Sequence, residues 1–362
     1  MEDRPITGLN ELVKHLDVLA ESDETPLDAK LFDDVELQLT EYNTPPLIPR
    51  LLPKLVGILT IYQQDPSVIV SLAIRLLKPV TFTQALSLAS SDSLILALNS
   101  PAPSATILAM TVVEKAAAAP SDTAILSNMH GVIAAFIIAW LSSPSVEVGE
   151  KATKILGDLL DVDCDQISAA TITTSLNDRP TPMIRQHAGQ GLLWRRIFHD
   201  RDIYASLFDL CSLNTTQKPP FSLDERQKSL AQGRLLRILP RLALLDLATL
   251  THSSFPDVEA SYNLPRGSSG GSGAGLLHFA ALQMVDKRDV LMHITLLDFF
   301  REFLDLMSMT DVSESTLATL IGLVGAAVQE DEALEQTLRG IAESPNTAPE
   351  MVALLQRLDA AR

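Results

Sequence analysis

The sequence predicts an all-α protein, a HEAT- or armadillo-like helical repeat solenoid running as a single array over residues 1–362. Three observations carry that expectation. Apolar residues make up 46% of the chain and aromatics only 5%, so the core is to be built from Leu, Ala and other aliphatic side chains, many of which favour helix. Almost no segment alternates with period two, so sheet is not expected. Pro66, Pro103, Pro144 and Pro182 each open an aliphatic helical pattern, at separations of 37, 41 and 38 residues, close to the roughly 40-residue period of such repeats.

Taken in order, "QDPSVIVSLAIRLL" and "SPAPSATILAMTVV" are turn-then-helix units around Pro66 and Pro103. "MHGVIAAFIIAW" is apolar nearly all round. Its core run, Val132 to Leu141, is too short to span a bilayer and reads as a buried helix. "LSSPSVEVGEKATKILGDLL" follows, with Val148, Ala152, Leu156 and Leu159 on one helical face and Glu150, Lys154 and Asp158 away from its centre. "RPTPMIRQHAGQGLL" is expected to repeat the unit at Pro182, with Ile184, Arg185 and Ala188 on its helix. In "WRRIFHDRD" the first helix ends near Phe198 and Asp202 caps the next. "RDIYASLFDLCSL" and "SLDERQKSLAQGRLLRIL" form a further pair, and Pro240 is expected to break or kink the second helix. "RGSSGGSGAG", residues 266–275, reads as a flexible loop. "LLHFAALQMV" pairs with "DVLMHITLLDFFREFLDLM", and three short helices finish the chain as a cap on the stack.

Charge bounds the partners. The net charge is −17, which disfavours nonspecific binding to nucleic acid or anionic lipid. Residues 1–60 hold 12 acidic and 5 basic groups, and residues 302–362 hold 11 and 3, so both ends are acidic. Between them, residues 179–241 hold 11 basic and 5 acidic groups, with Arg outnumbering Lys nine to two. Arg185, Arg195, Arg196, Arg201, Arg234, Arg237 and Arg241 of this basic waist could grip an acidic peptide or nucleic acid. The plainer reading is that they brace neighbouring helices through Asp200, Asp202, Asp209 and Glu225. Trp194 beside them reads as core rather than as a stacking platform. Cys164 and Cys211 form no disulfide framework, and "MEDRPITGLNELVKHL" lacks an apolar signal core. A cytoplasmic chain with access to the nucleus is therefore expected.

No pattern calls for catalysis or a cofactor. "HDRD" lacks the glycine-rich loop and magnesium-binding Asp-Phe-Gly that a kinase needs. "DVDCDQISAATI" puts Gln166 and Ile172 where a calcium loop needs Gly and Glu. The seven histidines show no metal-ligand spacing, and His293 reads as a hydrogen-bonded interior residue.

Three segments carry a resemblance: "GEKATKILGDLLDVDC", "LLWRRIFHDRDIYASLFDLCSL" and "LLHFAALQMVDKRDVLMHITLLDFF". Over roughly residues 130–305 the chain resembles the family of 26S proteasome non-ATPase regulatory subunit 5 and its fungal counterpart, often labelled a DNA mismatch repair protein. The resemblance implies a HEAT-like chaperone for assembly of the proteasome base. Such a protein holds the C-terminal domain of one AAA ATPase subunit on its concave face and hydrolyses nothing. The chain departs from the family in its shorter length and its Gly/Ser run. Alternatives are a HEAT scaffold in another pathway, or an accessory protein of DNA mismatch repair using the basic waist. A monomer without membrane attachment is expected.

In a solenoid of this kind the second helix of each repeat lines the concave face. Its polar edge would comprise Glu147, Glu150, Lys154 and Asp158, then Arg185, Gln186 and Gln190. Later repeats would add Glu225, Lys228, His293, Asp298 and Glu302. Charge reversal at Glu150 and Asp158 would then weaken partner binding without unfolding the chain.

Overall fold

A computed structural model of the chain describes residues 5–21, 25–62, 64–165, 171–172, 182–183, 188–213, 223–262, 264, 274–310 and 312–361. The fold is all-α. The chain packs as two compact units, Met1–Ala139 and Trp140–Arg362, with the boundary inside one helix.

The first unit contains α1 (Leu9–Glu21), α2 (Ala29–Glu36), α3 (Ile48–Ile61), α4 (Ser67–Leu77), α5 (Phe82–Leu88), α6 (Ser91–Leu98), α7 (Pro103–Glu114), α8 (Pro120–Ser127) and most of α9 (His130–Ser142). Pro66 stands at the N-cap of α4 and Pro103 at the first position of α7, where a missing N–H costs nothing. Short α5 and α6 exist because their first turns are tied down. Thr81 and Gln84 close a capping box, and the Ser90 hydroxyl accepts from the Ser93 N–H. The unit's core is aliphatic: α3 packs between α1 and α4, and α4 packs on α7. Leu12, Leu16, Leu55, Ile58, Leu72 and Leu76 are fully buried there.

The second unit opens with α10 (Val146–Asp163), capped by Ser145 just after Pro144. Its expected core face is buried at Val148, Ala152, Leu156 and Leu159. The unit at Pro182 is different from the expectation. Pro182–Met183 is an extended pair (β2) antiparallel to Thr171–Ile172 (β1), and Ala188 to Gln190 are not helical. Ile184, Arg185 and Gln186 lie outside the described residues. The next helix, α11 (Leu192–Phe198), begins only after Gly191, whose φ of +66° suits a residue without Cβ.

Then follow α12 (Arg201–Cys211), α13 (Glu225–Thr251), α14 (Pro256–Ala260) and α15 (Gly275–His278), which continues as a π turn over Phe279–Gln283. The chain finishes with α16 (Val290–Ser308), α17 (Glu314–Gln329), α18 (Glu332–Glu343) and α19 (Pro349–Ala360). Pro240 does not break α13. It is buried within the helix, and the residue with non-helical backbone is Asp246 (φ −154°, ψ 85°). Asp246 accepts from the Thr249 N–H at 3.0 Å and so caps a final short turn, the role Asp fills at helix starts. Helix α13 lies against α10, α12, α15 and α16, and α16 packs on α18 and α19. An aromatic cluster forms where α12 meets the α14–α15 region, with Phe208 against Phe279 at 4.5 Å and Tyr204 against Phe255 at 5.7 Å. Residues 266–273 of the Gly/Ser run lie outside the described residues.

Candidate functional site

The stretch from Trp194 to Asp202 is a structural joint. Trp194 is 5% exposed, stacks on Phe198 and donates through Nε1 to the Leu160 carbonyl at 2.9 Å. Helix α11 starts on a carboxylate supplied from α10: fully buried Asp163 accepts from the N–H groups of Leu192, Leu193 and Trp194 at 3.3, 2.7 and 3.0 Å. The calcium-like "DVDCD" thus caps a helix that begins about thirty residues later, satisfying donors its own helix leaves free. The cap of α12 is Asp200, which accepts from the N–H groups of Asp202 and Ile203. Asp202 is not the cap; it lies in the first turn.

Burial raises the Asp163 carboxyl above the ordinary carboxylate value; the three N–H donors act against that shift, and Asp165 adds to it. A raised value means that the folded chain holds the proton more tightly than the unfolded chain. Wild-type stability relative to Asp163→Asn should therefore rise as pH falls through the raised value, and level off at the ordinary one. Urea unfolding of both chains between about pH 8 and about pH 4 measures this difference. A flat difference, or one of opposite sign, would show that burial does not govern this carboxyl.

Five arginines of the basic waist are used in bracing, though largely not on the carboxylates expected; Arg195 is exposed on α11, and Arg185 lies outside the described residues. Arg196 pairs with Asp200 at 3.0 Å, as anticipated. Arg201 instead reaches Asp257, and Asp209 accepts from the Tyr262 hydroxyl. Three arginines of α13 face α10. Arg237 bonds Glu150, and Arg241 bonds Asp158 at 3.0 Å and Asp161 at 3.2 Å. Arg234, 6% exposed, donates to the carbonyls of Trp140, Leu141 and Ser145 at 2.7, 3.3 and 2.9 Å. It thus closes the C-terminal end of α9, where carbonyls lack helical partners and a cation is favoured. Gly149 and Gly157 of α10 make room: a Cβ at either would overlap the guanidinium of Arg234 or Arg241.

Of the expected surface residues, Glu150, Asp158 and Glu302 come together. Glu150 and Asp158 are bonded to α13 through Arg237 and Arg241, and Arg237 also lies near enough to Glu302 to favour its charged form. Glu147 and Lys154 are exposed beside them on α10, and Lys154 bonds Asp158 at 2.9 Å. Asp298 is exposed on α16 one turn before Glu302. Gln190 is exposed ahead of α11, and Glu225 and Lys228 stand in the first turn of α13, three turns from Arg237; none of these joins the row by an ion pair among the described residues. His293 is half-buried and shares a hydrogen bond of 2.7 Å with Asp331, the cap of α18. Because Glu150 and Asp158 hold α10 to α13, reversing their charges would disturb packing as well as any docked partner. The clean separation expected from sequence does not hold.

Three residues of this surface are absent from the sequence reading. Val290, Leu291 and Ile294 of α16 are 72%, 72% and 50% exposed. The signal was present: the helix core needs Met292, Leu296, Phe299, Phe300 and Phe303, and these three aliphatics exceed one buried stripe. Among the described residues, no group of three or more His, Cys, Asp or Glu side chains could hold a metal ion, and no single helix is long and apolar enough to cross a membrane.

These features define an all-α protein with arginine-braced helices and a mixed aliphatic and acidic surface. Set against known proteins, the chain matches no family model and no curated sequence.

Proposed function

We propose that this chain is a non-catalytic binding protein, a HEAT-like helical repeat that assists assembly of the proteasome base by holding the C-terminal domain of an AAA ATPase subunit. One observation supports a repeat scaffold above all. Arg234, Arg237 and Arg241, three of the seven arginines that sequence alone could assign to a groove for an acidic peptide or nucleic acid, hold α10, α13 and the end of α9 together. Braces of this kind make packed helices a rigid scaffold on which a binding surface can be presented. The proteasomal partner comes from the resemblance of the segments 149–164, 192–213 and 276–300. A DNA-binding reading would draw on Arg234, Arg237 and Arg241, which are already engaged within the chain.

The test is co-elution of the full chain with each proteasomal ATPase C-terminal domain in turn. One-to-one binding to a single domain is the expected result. A folded, helical chain that binds none of them would overturn the chaperone reading, and strongly salt-dependent DNA binding would favour the repair reading instead.

A further inference from the structure

Helix α16 carries a stripe that nothing described in its own unit covers. Leu291 and Ile294 are followed on the same face by Asp298, Glu302 and Asp305, at steps of three or four residues. With Val290 beside Leu291, the stripe is aliphatic over its first turns and acidic over the rest. No hydrogen bond or ion pair joins the side chains of these three acids to another described residue. Although the Glu302 side chain reaches solvent, partial desolvation raises its carboxyl above the ordinary value; Arg237 opposes the shift, and Asp298 and Asp305 add to it. Like charges crowded on one face, with Arg301 as the adjacent basic residue, favour an added cation. Single exposed aliphatics need no explanation. Three on one face, running into carboxylates that no described residue pairs with directly, make a surface with two matched requirements.

We propose that this face of α16 docks a helix of another protein that presents aliphatic residues over about two turns and Lys or Arg on the same face beyond them. The proposal rests on reading the chain as a binding protein and names the chemistry of its partner. Charge complementarity selects the occupant. Residues 302–362 carry 11 acidic and 3 basic groups, so a cationic helix is drawn to this end of the chain before it makes contact. A second copy is a poor candidate: the net charge of −17 makes copies repel, and Arg234, Arg237 and Arg241 are already committed.

The probe is a blocked synthetic helix, with Leu at i, i+3 and i+4 in its first half and Lys on the same face in its second. Fluorescence anisotropy reads its binding to the full chain, and a Glu-for-Lys peptide is the control. The Lys peptide should bind and weaken with added salt. It should lose at least tenfold in affinity with Leu291→Asp/Ile294→Asp, and about tenfold with Asp298→Lys/Glu302→Lys. All four positions are exposed, so circular dichroism should show both variants folded. The charge-swapped peptide tests the idea on the unaltered chain in any event. The proposal is overturned by no binding up to roughly 1 mM, by equal binding of the Glu peptide, or by unchanged binding in Leu291→Asp/Ile294→Asp. Sedimentation showing that the wild-type chain pairs with itself through this face would overturn it too. None of these results depends on the ATPase co-elution, so the two readings fail separately.

Discussion

Arg234→Met and Gly149→Ala should each lower unfolding stability, and the two losses should not add. Removing the guanidinium takes charged donors from the Trp140, Leu141 and Ser145 carbonyls. A hydrogen bond to a charged group is worth about 1.5–3 kcal/mol, and an abandoned buried acceptor adds to the cost. We expect Arg234→Met to cost about 3 kcal/mol in urea unfolding. At Gly149 a new Cβ would enter the same guanidinium, whose carbonyl partners leave it nowhere to move. Overpacking of this kind costs about 1–3 kcal/mol, against which Ala recovers up to about 1 kcal/mol in helix propensity.

In the double variant the obstacle is gone. The methyl group at 149 occupies space that the guanidinium has left, and the helix keeps the propensity gain. The double variant should therefore be about as stable as Arg234→Met alone, a coupling of at least about 1 kcal/mol. Losses that add to within about 0.5 kcal/mol would show that the two positions do not meet, and with that the account of how α10 seats on α13 would fail.

This joint shows what the sequence could and could not disclose. Signals contained in a few adjacent residues were legible: the turns at Pro66, Pro103 and Pro144 open helices, and Trp194 is core. That the arginines brace helices was legible from their number and from their apolar frame. Their partners were not, because Glu150 and Asp158 stand more than eighty residues from Arg237 and Arg241 in sequence. Asp163 was read through its immediate neighbours, although its donors come from α11. Pro182 misled because a proline fits the first residue of an extended pair as readily as the first turn of a helix. Pro240 does not interrupt α13: helical backbone persists around it, and the break comes at Asp246, whose side chain offers the next turn a cap. Asp298 and Glu302 were named as surface residues from helical spacing, while Leu291 and Ile294 were passed over because aliphatic residues in a helix read first as core.

Glu259→Ala should be the costliest single change in the region where α12, α14 and α15 meet. Its carboxylate is 1% exposed and accepts three hydrogen bonds: from the Tyr204 hydroxyl at 2.8 Å, the Ala274 N–H at 2.6 Å and the Gly275 N–H at 3.1 Å. Tyr204 is itself buried, which raises its hydroxyl well above the ordinary phenol value and leaves it a donor. Ala would abandon three buried donors and a cavity, for about 3–5 kcal/mol. Glu259→Gln keeps the volume but turns an amide NH2 toward N–H groups, so at least one donor faces a donor, for about 2–3 kcal/mol. Tyr204→Phe leaves both backbone donors satisfied and should cost about 1 kcal/mol. The order Ala, Gln, then Phe distinguishes a carboxylate that organises the joint from one that merely fills it. Amide exchange supplies the local readout. Ala274 and Gly275 should exchange faster in Glu259→Gln and stay protected in Tyr204→Phe, whereas a purely global loss would accelerate both variants in proportion to their stability. Gly275→Ala probes the same joint from the other side. Gly275 has a φ of +80°, and a Cβ there would run into the Leu250 carbonyl and the Thr251 backbone at the end of α13. That substitution must displace the N–H groups from Glu259 or α15 from α13, and neither can move without the other.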